Sequence, residues 1–430
     1  MRALRFTQTL VLSLLLLLVQ VAQAAELTST RPSRLGMSAE RLENLDAVMK
    51  SYVDSGQIAG QVIMLLRHGR IAYSAANGVR NIADNTPMTE DSMFRIASQT
   101  KAIVSTGIMI LHERGELNIA APLSDYIPEW ADATVAVDNG REGYTTEPVN
   151  RAITLRDLLT HTSGISYGLF GAPGPAIEEW QESGLQGWYL VDQTAPIHET
   201  AARMAAIPMN AHPGERWLYG YNTDILGAVI EVVTGDSLGA FIQQEILDPL
   251  DMHDTHFFVP PEKAERMATV YWIEDDGSLS EGPTGAGMYT QGQYVQGQSP
   301  QVSYSGGAGL VSTARDYARF LQMMLDGGAL SDTRILSPKT VELMTSNHLR
   351  DIPYQDGMGF GLGFSVVTDL GARGALGSEG EFGWGGAYHS TYWVDPAEDL
   401  VVVYLTQFGP GVNLDDYSKL RAGIYAAIVE

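Results

Sequence analysis

Apolar residues recur along this chain with two different periods, and each period predicts one kind of element. Between Leu42 and Tyr52 they are spaced mostly three or four residues apart and follow the capping residue Ser38, which predicts an amphipathic helix. The same spacing predicts further helices at about 98–116, 154–159, 199–206, 222–234, 313–327 and 415–429.

Alternating or unbroken apolar runs predict strands near both ends of the chain. Residues 61–67 and 70–74 form two such runs on either side of a tight His68-Gly69 turn, which is typical of a hairpin. The pattern returns late in the chain, at 364–368, 388–394 and 400–405. Short links between these later strands favour antiparallel pairing.

The order of these elements predicts the fold class. We expect an α/β (α+β) protein in which an antiparallel sheet is flanked by N- and C-terminal helices. The sheet domain would be discontinuous, formed by 25–100 and 300–430, with a mainly helical domain at 101–299 inserted between its parts. A stretch rich in Gly, Gln and Ser at 275–300 predicts a long loop of the kind that is usually functional or mobile.

Residues 1–24 have the pattern of a secretory signal peptide. Two arginines precede an apolar stretch at 10–21, which is too short to span a bilayer comfortably, and the small residues Ala22 and Ala24 follow. We expect cleavage after Ala24 and a periplasmic or secreted protein without membrane anchoring. The alternative is a core helix of an unprocessed chain.

Composition excludes several kinds of partner and chemistry. With 51 acidic against 27 basic residues, the net charge of -24 repels nucleic acid and anionic lipid, so neither is expected as a partner. The absence of cysteine excludes disulfides, thiol catalysis and cysteine-based zinc sites. His253 and His256 lie in what looks like the exit turn of a helix and make a poor ligand pair. We expect no metal and no organic cofactor.

One short motif carries candidate chemistry. Ser98 and Lys101 open the predicted helix at 98–116, and residues three apart lie on the same helix face, so the two side chains should be neighbours. Burial at an apolar helix start and the positive end of the helix dipole both favour a neutral amine, which can accept the proton of a serine nucleophile. Taken alone, a Ser-x-x-Lys pair is a weak signal, because it also occurs at ordinary solvated helix starts.

Further motifs follow this pair in a fixed order, and together they resemble a known superfamily. These motifs are Leu158-Leu-Thr-His-Thr-Ser-Gly164, Pro213-Gly-Glu-Arg-Trp217-Leu-Tyr219-Gly, Ser305-Gly-Gly-Ala-Gly and Gly383-Trp384-Gly385-Gly386-Ala387. From about Arg34 to the C-terminus the chain resembles the class-C-like β-lactamase and penicillin-binding serine hydrolases, especially the family VIII carboxylesterases.

The resemblance implies a role for each matching residue. Ser98 would be the acylated nucleophile, Lys101 its proton acceptor and Tyr219 the group that shares the acid and base work. Trp384-Gly385-Gly386 would line the substrate from a strand at the edge of the site. The backbone N–H groups of Ser98 and Ala387 would form the oxyanion hole, in which one donor is typically worth about 2.7–4 kcal/mol.

Two positions depart from the family pattern. Gly220 replaces the serine that usually follows the tyrosine, and Tyr221 lies close enough to compete with Tyr219 for its role. Trp384 stands where related lactamases and peptidases carry a cation that binds the substrate carboxylate. Its replacement by an indole favours neutral esters.

A second serine fits a different hydrolase motif. Gly164-Ile-Ser166-Tyr-Gly168 matches the Gly-x-Ser-x-Gly nucleophile elbow, which needs a strand before the serine and a helix after it. Here a helical segment precedes the motif and a Gly- and Pro-rich stretch follows it, so Ser166 is predicted to be a loop hydroxyl.

These observations predict an exported serine carboxylesterase that acts on small neutral esters through a Ser98 acyl-enzyme. A D-aminopeptidase, a DD-peptidase or a weak β-lactamase on the same scaffold is the alternative enzyme. A ligand-binding module that has lost turnover is the alternative of another class, and the intact Ser98, Lys101 and Tyr219 speak against it. Oligomeric state, natural substrate and acyl-chain length stay open.

Overall fold

The computed structural model of the protein describes residues 26–140, 143–167, 175–185, 190–285, 287–292, 294–298, 301–411 and 413–430. The predicted signal peptide at 1–24 lies outside the described residues, as does part of the predicted 275–300 loop.

An eight-stranded antiparallel sheet forms the centre of the fold, with strands drawn from both ends of the chain. The strands are β1 Gly60–Arg67, β2 Arg70–Asn81, β3 Thr86–Pro87, β4 Met358–Phe360, β5 Ser365–Val367, β6 Phe382–Gly386, β7 Ser390–Asp395 and β8 Leu400–Leu405. Their order in the sheet is β4-β5-β6-β7-β8-β1-β2-β3, so the first and last strands in the sequence pair at its middle. In that central pair Val62 lies opposite Leu405 and Arg67 opposite Leu400.

Helices cover both faces of this sheet, because alternate residues of the central strands are apolar on both sides. The long helices are α1 Ala39–Asp54, α2 Thr100–Glu113, α3 Asn222–Thr234, α4 Ala314–Leu325 and α5 Asp416–Ala427. Ile63 and Leu65 pack with the terminal helices α1 and α5, whereas Val62 and Met64 pack in the larger core with α2, α3 and α4. The predicted fold class, an antiparallel sheet between terminal helices and a helical insertion, is confirmed.

Shorter elements connect these parts. Short α-helices cover Leu155–Leu159, Ile177–Glu182, Ile197–Met204, Leu238–Ile242, Pro338–Met344 and Leu370–Arg373, with a π-helical turn at Gln243–Leu247. Turns of 3₁₀ helix cover Pro32–Leu35, Ala97–Gln99, Leu123–Asp125, Pro128–Asp132 and Pro261–Arg266. Two-stranded pairings join Phe94–Arg95 to Val311–Ser312 and Ala329–Leu330 to Thr333–Arg334.

The inserted region also contains β-structure that the sequence pattern did not predict. Thr134–Asp138 pairs with Tyr144–Pro148, and Tyr271–Ile273 pairs with Leu279–Glu281, which lies inside the predicted 275–300 loop. Both hairpins are short, and strands of five and three residues are too short to give a clear periodic signal. The Asn139-Gly140 step before the second strand of the first hairpin is a turn signal that could have indicated it.

Within the described ranges, no group of three or more His, Asp or Glu side chains lies close enough to hold a metal ion. No single helix in that part of the chain is long and apolar enough to cross a membrane, although the bent pair Asn222–Thr234 and Leu238–Leu247 has the length and composition for it when the two helices are taken together.

Candidate active site

Ser98 lies where a 3₁₀ turn passes into helix α2. The turn covers Ala97–Gln99 and α2 begins at Thr100, so the predicted helix opens more tightly than an α-helix. Ala97 has a φ of 43°, a left-handed conformation that costs a non-glycine residue of order 1–3 kcal/mol and is concentrated at functional sites. Ser98 follows this strained residue and lines a cleft with a volume of about 870 Å³.

Lys101 is buried beside Ser98 and is held by three oxygen atoms. Its side chain is in the first turn of α2, and the residue is only 3% exposed. The amine donates to Ser98 Oγ at 3.3 Å, to the Tyr167 hydroxyl at 2.9 Å and to the Gly307 carbonyl at 2.8 Å. The structure therefore brings together the predicted pair Ser98 and Lys101. We call Ser98, Lys101, Tyr167 and Gly307 the polar floor.

A buried carboxylate fixes the Gly307 end of this floor. Asp224 in helix α3 accepts hydrogen bonds from Ser305 Oγ at 2.8 Å and from Gly307 N–H at 3.0 Å. Burial raises the pKa of Asp224, and the nearby positive charge of Lys101 opposes that rise. A Cβ at Gly307 would lie 2.4 Å from Asp224 Oδ2, so only glycine lets the backbone come this close. The Ser305-Gly-Gly motif thus holds the carbonyl that faces Lys101.

The structure distinguishes between Tyr219 and Tyr221, the two tyrosines that the sequence left as alternatives for one role. Tyr219 lines the cleft, its ring centroid lies 4.6 Å from Lys101 Nζ, and its hydroxyl accepts a hydrogen bond from Trp384 Nε1 at 3.3 Å. Tyr221 is fully buried, and its hydroxyl donates to the Leu185 carbonyl at 2.5 Å. The geometry favours Tyr219 for chemistry in the cleft.

Ser166 and Gly220 are linked by packing. Ser166 is buried, and its Oγ accepts a hydrogen bond from Asn210 Nδ2 at 2.6 Å. A Cβ at Gly220 would lie 2.5 Å from both the Ile165 carbonyl oxygen and Ser166 Cα. A serine at position 220, as in the family pattern, would therefore require the 165–166 backbone to move. The hydroxyl of Ser166 is thus held by Asn210, and the 165–166 backbone packs closely against Gly220, next to Tyr219.

The sequence pattern did not predict two candidate functional residues, although both lie in motifs described above. Tyr167 belongs to the rejected elbow motif and His161 to the Leu158–Gly164 motif. His161 Nδ1 accepts a hydrogen bond from Asn222 Nδ2 at 2.8 Å, and its ring centroid lies 4.9 Å from that of Tyr219. Burial, assisted by the charge of Lys101, holds the pKa of His161 well below its usual value, so the ring is neutral. Periodicity gives no signal for such residues, because their partners are distant in the sequence.

One group of aromatic rings adjoins the cleft: Tyr219, Tyr354 and Trp384 line it, and Trp217 and Phe360 pack against these three. Their neighbouring centroids lie 4.9–6.2 Å apart, the range of favourable ring contacts. Trp384, the residue predicted to replace a cation, stands among them. We call this set the aromatic wall; its members are Trp217, Tyr219, Tyr354, Phe360 and Trp384.

Strand β6 brings the predicted oxyanion residues close to Ser98. Gly385, Gly386 and Ala387 line the same cleft as Ser98. A Cβ at Gly386 would lie 2.6 Å from the Ile96 carbonyl oxygen, so the strand can approach the segment before Ser98 only with glycine at this position. Ala387 packs in the small apolar cluster that contains Ala97. This arrangement fits the two N–H donors predicted at Ser98 and Ala387.

Comparisons with known proteins agree with this geometry. The β-lactamase family model matches residues 45–425. The chain is 33% identical over 390 residues to Protein Rv1367c of Mycobacterium tuberculosis, covering 87% of this chain and 92% of that protein. It is 32% identical over 408 residues to Esterase EstB of Burkholderia gladioli, covering 93% of this chain and 99% of the esterase.

A solved structure of similar fold is that of EstCE1, described as a hydrolase with promiscuous acyltransferase activity. It superposes with a TM-score of 0.74 at 24% identity and covers 90% of this chain and 98% of its own. The fold, the matched family model and the Ser-x-x-Lys pair in one cleft lead to the same conclusion: the chain belongs to the β-lactamase family and is a serine hydrolase of the β-lactamase fold.

Proposed function

We propose that this protein is an exported carboxylesterase that hydrolyses neutral esters through an acyl-enzyme on Ser98. Ser98 Oγ bonds to the ester carbonyl carbon while its proton passes to the Lys101 amine. The N–H groups of Ser98 and Ala387 stabilise the oxyanion. The C–O bond then breaks, the alcohol leaves with a proton from Tyr219 or Lys101, and water hydrolyses the acyl-enzyme.

The charge distribution of the cleft carries the choice of neutral esters. Trp384 occupies the position at which a cation would bind a substrate carboxylate, and its N–H is directed to the Tyr219 hydroxyl. Both arginines that line the described cleft are already engaged by a carboxylate of the protein, because Glu381 pairs with Arg373 at 3.0 Å and with Arg421 at 2.7 Å. A carboxylate beside the scissile bond therefore has no dedicated partner, whereas an uncharged group can pack on the rings.

The size of the cleft sets the range of substrates to be tested. A volume of about 870 Å³ falls within the range that holds drug-sized ligands, so bulky esters fit as well as short ones. The 32% identity to Esterase EstB supports ester hydrolysis.

A substrate panel tests the proposal. We expect kcat/KM for p-nitrophenyl butyrate to exceed that for a cephalosporin, a D-alanyl-D-alanine peptide or a D-amino-acid amide by about 10²-fold or more, equivalent to about 2.7 kcal/mol of transition-state binding. If a cephalosporin or a peptide is hydrolysed as fast as the ester, the esterase assignment is wrong, and a β-lactamase or peptidase assignment replaces it. Acylation of Ser98 without turnover would indicate a binding module. Export predicts that protein recovered outside the cytoplasm lacks residues 1–24.

A further inference from the structure

The three oxygen atoms around Lys101 restrict how its amine can act as a base. Of these, the Gly307 carbonyl can only accept a hydrogen bond, at 2.8 Å. The hydroxyls of Tyr167 at 2.9 Å and Ser98 at 3.3 Å can donate or accept. A neutral amine has two N–H bonds and one lone pair. One N–H is committed to Gly307, so the direction of the lone pair depends on which hydroxyl takes the other.

We infer that Tyr167 is a positioning residue that directs the lone pair of Lys101 toward Ser98; this inference rests on the proposed acyl-enzyme function. When Tyr167 accepts the second N–H, the lone pair is left facing the Ser98 hydroxyl, which donates to it. After Ser98 transfers its proton, the ammonium has three N–H groups for the same three oxygens. The side chains therefore form the same three hydrogen bonds in both protonation states. Only the proton shared by Ser98 and Lys101 changes position between them.

The environment of Tyr167 suits an acceptor that keeps its own proton. The residue is 1% exposed, and burial, together with nearby Tyr219 and Asp224, raises its pKa well above the usual value of 10.0. Its ring makes edge contacts with Tyr219 at 5.4 Å and Tyr221 at 4.7 Å between centroids. Gly220 permits this placement, since a side chain there would displace the 165–166 backbone that precedes Tyr167.

The position of Tyr219 indicates a different task for the second phenol. It presents its ring face to Lys101, while its hydroxyl lies at Trp384 Nε1, on the aromatic wall. Tyr167 thus orients the base during attack, and Tyr219 delivers the proton to the departing alkoxide from the cleft side. The Tyr219 phenolate then recovers a proton from the Lys101 ammonium, so that the net transfer over the acylation step is one proton from Ser98 to the leaving alcohol.

Two leaving groups separate these tasks. A p-nitrophenyl ester leaves as a stabilised phenolate that needs no proton, whereas an ethyl ester leaves as an alkoxide that needs one. We expect Tyr167→Phe to lower kcat/KM about 10²-fold for both p-nitrophenyl butyrate and ethyl butyrate, within the usual range for proton-transfer groups. Tyr219→Phe should impair the ethyl ester at least tenfold more than the p-nitrophenyl ester.

The pH profile gives a readout that a merely structural role would not move. The charged ammonium is the stronger hydrogen-bond donor, so removal of the Tyr167 oxygen destabilises the protonated form of Lys101 more than its neutral form. The acidic limb of kcat/KM should therefore shift to lower pH in Tyr167→Phe. Tyr221→Phe is the matched control, because it removes an equally buried hydroxyl that donates to Leu185 instead, and its profile should match that of the wild type.

An unshifted acidic limb in Tyr167→Phe, with activity no lower than in Tyr221→Phe, would overturn the inference. If Tyr167→Phe does not fold, 3-fluorotyrosine at position 167 replaces it. Its oxygen is a weaker acceptor, and the same signature at smaller size is expected; wild-type behaviour would again overturn the inference. Failure of the esterase proposal is distinguishable, because it would appear as a better β-lactam or peptide substrate of the wild type. The same variants would then be compared on that substrate.

Discussion

The polar floor and the aromatic wall each contribute residues to the lining of the same cleft, but their side chains are held in different ways. In the floor, Lys101 and Tyr167 are 3% and 1% exposed, and hydrogen bonds fix their polar atoms. In the wall, Tyr219, Tyr354 and Trp384 are only partly buried and meet mainly through ring contacts. Directional bonds allow one arrangement, whereas ring contacts tolerate several. The floor should therefore determine whether any substrate reacts, and the wall which substrates react well.

The nucleophile offers the strongest test of this division. Ser98→Ala removes the atom that attacks, so hydrolysis of every ester in the panel should be lost, a fall of at least about 10⁴-fold. Ser166→Ala is the matched control and should keep most of the activity, because Ser166 is buried and its Oγ accepts a bond from Asn210, a residue outside the floor. Mass spectrometry after phosphonate labelling should place the adduct on Ser98. An adduct on Ser166 would revive the elbow motif and remove the floor from the chemistry.

The sequence predicted only part of the floor. Ser98 and Lys101 are three residues apart where a 3₁₀ turn continues into α2, so local helical geometry alone predicted their contact. Tyr167 and Gly307 reach Lys101 only through tertiary packing, and no period in the sequence records it. The central sheet was likewise predictable from long apolar runs, such as the one at 400–405 that became β8. The hairpin at 134–148 was not, because its strands are short and weakly alternating.

His161, which lies between floor and wall, gives a smaller effect on stability. Its folded pKa lies below the unfolded value of about 6.5, so the unfolded chain binds more protons as the pH falls through 6.5. The stabilisation by the neutral ring is complete above that value and is lost progressively below it. Thermal midpoints measured from pH 8 to pH 5 should therefore depend less on pH in His161→Gln than in the wild type.

His253→Gln is the control for this measurement, because the His253 side chain is 71% exposed. Its thermal midpoints should follow the wild-type pH dependence. Equal slopes for His161→Gln and His253→Gln would show that the buried imidazole does not contribute to acid sensitivity.

Trp384 gives the smallest effect and tests the wall alone. A lysine at this position would supply the cation that a carboxylate-bearing substrate needs, so Trp384→Lys should narrow the preference for p-nitrophenyl butyrate over a cephalosporin by about tenfold, or about 1.4 kcal/mol. Trp384→Phe is the matched control, since both variants lose the N–H that is donated to Tyr219, and only the lysine adds charge. The ratio of the two kcat/KM values, measured for both variants at one ionic strength, isolates that charge. Because the floor is untouched, phosphonate labelling of Ser98 should proceed at similar rates in the two variants. If the lysine narrows the preference no more than the phenylalanine does, the charge at position 384 does not select the substrate, and the wall discriminates by shape instead.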